Sequence, residues 1–151
     1  PRCDQLASVV ADPERQAPGV EYGDISGPDV IRFCRAAIEE DPSNGRYWLQ
    51  LGRGFLKQDR GAEMIDAFRR SRILGYPAAI FALAVVYHTG NGLSESSSQD
   101  AEHLYKEAYK KGIGYAALGL ARLYDEKESP FFDPDKAFMW QERFDSFQTQ
   151  H

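Results

Sequence analysis

Cysteine is scarce in this chain: Cys3 and Cys34 are the only two among 151 residues. That count excludes a multi-bridge scaffold and leaves either one bridge or two thiols. Long apolar runs are missing as well. The best one, Ala78 to Tyr87, is about half of the roughly 18 residues a membrane helix needs, so no membrane insertion is expected. Basic charge is not in excess, since 18 Lys and Arg stand against 23 Asp and Glu for a net charge of −5. A general polyanion surface is therefore not expected, nor is a nucleic-acid partner.

Motifs that carry chemistry are missing too. There is no HExxH, CxxC or GxSxG spacing, and His88, His103 and His151 are scattered along the chain. Surface or interface histidines account for them better than ligands or bases do. The acidic groups Glu39-Glu40-Asp41 and Asp125-Glu126-Lys127-Glu128 fall at predicted helix ends, where solvated charge is the simpler account. Gly90-Asn91-Gly92 is not followed by Lys-Ser/Thr and reads as a turn, not a phosphate loop. No catalytic residue, metal or cofactor is expected, and a hydrolase-type enzyme is the least favoured function.

What is present is 42% hydrophobic residues, enough for one domain that buries roughly two thirds of its unfolded surface. The first residue is Pro1 instead of Met, as in a trimmed chain or a mature exported one. With a possible disulfide this suggests a periplasmic or secreted location, a cytoplasmic one being left open. Residues 1–27 carry Pro13, Pro18, Gly19, Gly23 and Gly27, which predicts an irregular and poorly ordered N-terminal arm with one helical turn at Asp4 to Val10. The arm has few apolar residues to hold it by burial, so a Cys3–Cys34 bridge is expected to tie it to the first helix.

From Pro28 onward the pattern is helical. Val30, Ile31, Cys34, Ala37 and Ile38 recur at spacings of three and four as far as Asp41-Pro42. Further helices are predicted over 44–58, 62–74, 78–89, 98–111, 115–126 and 135–147, with Gly75 and Gly112 as C-terminal caps.

Comparing the chain with itself shows a repeat. Ala79, Leu83, Ala84 and Tyr87 reappear as Ala116, Leu120, Ala121 and Tyr124, each 37 residues on. Met64, Phe68, Ser71 and Gly75 match Ala101, Tyr105, Ala108 and Gly112 at the same offset of 37. Small residues at such positions let helices approach closely while one large residue fills the space beside them.

At Trp48, Leu51, Gly52, Phe55, Phe68 and Ser71 the sequence resembles the tetratricopeptide (TPR) repeat. From Pro77 the resemblance shifts to the Sel1-like repeat, carried by the glycine-rich segment Tyr87 to Leu93 and by Asp133, Lys136, Ala137 and Trp140. It departs from that pattern where Ala84 and Ala121 replace glycine and in a final loop without glycine. The resemblance implies an all-α fold, a right-handed α-α superhelix or solenoid, with a half repeat at 28–43 and repeats at about 44–76, 77–113 and 114–147. It implies a protein-binding scaffold module, part of a longer bacterial protein.

In such arrays the first helices of successive units line a concave groove. Here that groove would hold Arg46, Leu49, Arg53 and Lys57, then Phe81, Val85 and His88, then Tyr115, Leu118, Arg122 and Asp125. Arginine forks between apolar positions suit a protein or extended peptide with an acidic segment. The alternative is self-association through Phe131, Phe132, Phe138, Phe144 and Phe147.

Overall fold

The computed structural model describes residues 1–151. The chain is all-helical, without a strand: α1 (Arg2–Ala7), a 3₁₀ turn (Tyr22–Asp24), α2 (Gly27–Glu40), α3 (Gly45–Lys57), α4 (Gly61–Ile73), α5 (Pro77–Thr89), α6 (Ser98–Lys110), α7 (Tyr115–Tyr124) and α8 (Pro134–Gln150). The helices predicted from residue 28 onward are all present. Their ends are set locally: the side chains of Asn44, Ser97 and Asp133 accept the backbone N–H of Arg46, Asp100 and Lys136. Pro28, Pro77 and Pro134 sit in first turns, where a missing N–H costs nothing. Gly75 (φ 81°) and Gly112 (φ 93°) follow α4 and α6 in the left-handed conformation that other residues rarely adopt.

Each helix packs on the next from α1 to α8, and α3, α5 and α7 also touch in that order. One apolar core runs through the chain, from Val30 on α2 to Trp140 and Phe144 on α8. The small-against-large complement is realised at two places. Gly52 lies against the Phe68 ring and Gly119 against the Tyr105 ring, each so close that a Cβ would overlap the ring. Leu51, Gly52, Leu83, Ala84, Leu120 and Ala121 are all buried.

Two large apolar side chains stand well out of the core. Ile73 is 83% exposed and Phe138 66%. Each lies two residues from a buried one, Ser71 and Trp140 respectively, which places it about 200° round the helix from the packed face.

The arm is irregular apart from α1, which stands at Arg2–Ala7 instead of at Asp4 to Val10, and the 3₁₀ turn; what differs from the expectation is its order, since α1 packs on both α2 and α3. Cys3 and Cys34 are fully buried and bonded, their Cα atoms 4.7 Å apart. That separation lies in the range a disulfide spans.

Candidate functional site

The face of α3 that the repeat pattern assigns to an open groove is covered by the arm. Leu49 is fully buried, and Arg46, Arg53 and Lys57 turn toward arm residues instead of solvent. The correction has a simple cause. A helical wheel of α3 shows which residues leave the inter-repeat core, but not what a segment at the other end of the sequence lays over them.

The contact is polar and closely matched. Asp4, buried on α1, accepts from Arg46 Nε at 2.8 Å and from its Nη2 at 3.3 Å, a two-toothed carboxylate–guanidinium pair. Burial works against the Arg46 charge, but the hydrogen bond and charge of Asp4 outweigh it and hold Arg46 above its ordinary pKa.

Arg53, seven positions along α3, makes a different use of its fork. Nη1 donates to the carbonyls of Ala7 and Ser8, both at 2.9 Å, and Nη2 donates to the Val20 carbonyl at 2.7 Å. Two of those acceptors lie at the C-terminal end of α1, where the helix dipole favours a cation. Burial lowers Arg53 to about 10, opposed by Glu21. At neutral pH it therefore keeps the proton that its three donated bonds require.

Around these two arginines the arm closes on itself and on its support. The Val20 N–H donates to the Ser8 carbonyl at 2.8 Å, making residues 8–20 a loop. Asp12, buried on that loop, accepts from the Tyr76 hydroxyl at 2.5 Å and from the Glu14 N–H at 2.8 Å. Desolvation raises the Asp12 pKa against those two bonds, and it also raises Tyr76, which stays a neutral donor. Lys57 Nζ donates to the Tyr22 carbonyl at 3.2 Å and sits over the Tyr22 ring.

The remaining expected groove residues are half-buried or exposed. On α5, Phe81 packs on Tyr105 with ring centroids 6.0 Å apart, and Val85 is half-buried. His88 shares a hydrogen bond with the Tyr105 hydroxyl at 2.9 Å through Nδ1, while its Nε2 meets the Glu126 carboxylate. On α7, Tyr115 packs against Phe144 and Phe147, Leu118 is half-buried, and Arg122 is exposed, as is Asp125 just past the helix. A cavity of about 350 Å³ separates the tip of the arm loop, at Val10, Pro13 and Arg15, from Tyr115, Phe147 and His151.

The structure therefore divides the expected groove in two: four residues on the α3 face that the arm occupies, and seven on α5, on α7 and just past its end that lie outside the arm's hydrogen bonds. Asp4, Ser8, Asp12 and Tyr76 were not among the expected site residues. The one signal in the sequence that points to the contact is the expected Cys3–Cys34 bridge, which brings α1 against α2, the helix that packs on α3.

No family model, curated protein or solved structure matches this chain.

Proposed function

We propose that the chain is a protein-interaction module, an array of Sel1-like and TPR-type helix pairs wound as a right-handed superhelix, which receives an extended segment of a partner. The 37-residue repeat and the helix-to-next-helix packing support the array. One observation carries the binding: the α3 face already holds a foreign-like segment, the chain's own arm, through Arg46 on a carboxylate and Arg53 on main-chain carbonyls. The partner's segment runs along α5 and α7, over Phe81, Val85, His88, Tyr115, Leu118 and Arg122. The buried cysteine pair fits an oxidising compartment, periplasmic or extracellular.

Peptide-display selection against the full chain tests this. Enriched peptides carry Asp or Glu between spaced apolar residues, and Leu118→Glu with Arg122→Glu weakens them at least tenfold while the melting temperature holds. Selected peptides that bind the double variant as tightly as the wild type remove the groove.

A second use, self-association, is favoured by Phe132, Phe138 and Met139, which are exposed in and before α8. Sedimentation equilibrium separates the two: Phe138→Glu abolishes a concentration-dependent dimer if this face is used, and leaves peptide binding intact.

A further inference from the structure

The interface between the arm and α3 has the composition of a recognition surface more than that of a core. Its fully buried apolar contribution from residues 1–24 is Cys3 and Ala7, with Leu6, Val9 and Val20 only partly buried. The other buried arm groups, Asp4, Ser8 and Asp12, are polar, and no buried side-chain nitrogen or oxygen lacks a partner. Interfaces between separable pieces are polar and hydrogen-bonded in this way, and area alone holds them weakly. What makes this contact permanent is the covalent bond from Cys3 to Cys34.

We propose that the α3 face beneath the arm is a binding surface for an acidic segment of a partner protein, and that the disulfide-latched arm is its built-in occupant. The proposal rests on the first helices being the recognition face and adds how part of that face is closed. The arm specifies what the face reads. A carboxylate at one position meets Arg46, and main-chain carbonyls three and four residues later meet Arg53. The side chain three residues after the carboxylate must be small, as Ala7 is, because that position is fully enclosed. A competing segment that satisfies these terms replaces the arm without leaving either guanidinium unpaired.

Opening needs a dithiol. Two electrons and two protons pass to the Cys3–Cys34 bond, giving two thiols, while the dithiol closes to its own disulfide. Both sulfur-bearing residues are fully buried, so the attack waits for the arm to lift locally. Once reduced, the arm is held by its non-covalent contacts, mostly polar, and its tether through residues 21–26. A tether of that length keeps the arm at an effective concentration of about millimolar, so a competitor displaces it only in part unless the arm is also weakened.

The probe is a fluorescein-labelled synthetic peptide of residues 1–20 carrying Cys3→Ser, read by anisotropy. It is titrated into the full chain oxidised, the full chain in dithiothreitol, and a full-length Cys3→Ser/Asp4→Asn/Cys34→Ala variant whose helical content is verified by circular dichroism. Binding at least tenfold tighter to the variant than to the oxidised chain is expected, with the reduced wild type between them. Asp4→Asn in the probe, which cannot disturb the folding of the receptor, should cost at least tenfold. Three results overturn the proposal: equal binding to oxidised chain and variant, no binding to the variant, or indifference to Asp4 of the probe. Dimerisation of the reduced chain by exchanged arms, with the probe excluded, assigns the face to a second copy and overturns it too. None of these touches peptides selected on Leu118 and Arg122, so the two readings fail separately.

Discussion

Replacing Arg53 by methionine keeps the length and apolar stem of the side chain and removes the three donated bonds to Ala7, Ser8 and Val20. Hydrogen bonds to a charged group contribute about 1.5–3 kcal/mol each, so the gross loss is roughly 4.5–9 kcal/mol. Two effects reduce it. Methionine carries no charge to desolvate, and the orphaned carbonyls lie on a loop that can shift to admit water. A net loss of about 3 kcal/mol is expected, or a fall in melting temperature of about 6–12 °C for a chain of this size. Arg53→Lys should lose about half as much, because one ammonium cannot bridge acceptors on both ends of the arm loop. The assay is denaturant unfolding of the oxidised protein, with hydrogen exchange at the Ser8 and Val20 amides, which bond to Asp4 and Ser8 carbonyls. Protection should fall at those amides more than in α5 or α7. A loss under about 0.5 kcal/mol, or unchanged protection, would refute the guanidinium as the clasp of the arm.

Gly119→Ala should cost about 1–3 kcal/mol by overpacking, since the added methyl meets the Tyr105 ring; thermal melts decide it, and wild-type stability would mean the ring moves freely. Ala84→Leu and Ala121→Leu should each cost a similar amount, about 1–3 kcal/mol, at positions 0% and 5% exposed. Asp12 binds its proton more tightly folded than unfolded, so its contribution is full below the ordinary value of 3.8 and is lost as pH rises through the higher folded value. Asp12→Asn keeps its one oxygen for the Glu14 N–H and turns its amide to donate to the Tyr76 oxygen, so it should raise stability at pH 7 relative to the wild type, with the gain vanishing near pH 3; melting curves at both pH values test this, and a constant difference contradicts it.

The helices were legible because local rules and the repeat agree. Ala79 and Ala116, or Phe68 and Tyr105, recur at one offset, and Gly75 and Gly112 cap the same helix in two units. The arm was not legible beyond its cysteine. Its hold on the helices is made of single residues, Asp4 on Arg46 of α3 and Asp12 on Tyr76 before α5, that leave no periodic trace and lie far apart in sequence. Leu49 shows the consequence: by its place on α3 it belongs to a groove, yet it is fully buried. Phe138 shows the reverse, an apolar side chain whose place on α8 no part of the chain covers.

The arm's partners all lie downstream of it: Asp4 waits for Arg46, 42 residues on, Ala7 for Arg53, 46 on, and Asp12 for Tyr76, 64 on. Helix pairs that close over short separations form early, whereas contacts of long separation must first meet the entropy of loop closure. As the chain emerges from its N-terminus, the cysteine bond is available once residue 34 appears, while the seat on α3 and Tyr76 is not. Docking of the arm thus has to follow the forming of its seat, and a covalent link made early shortens the search it has to make.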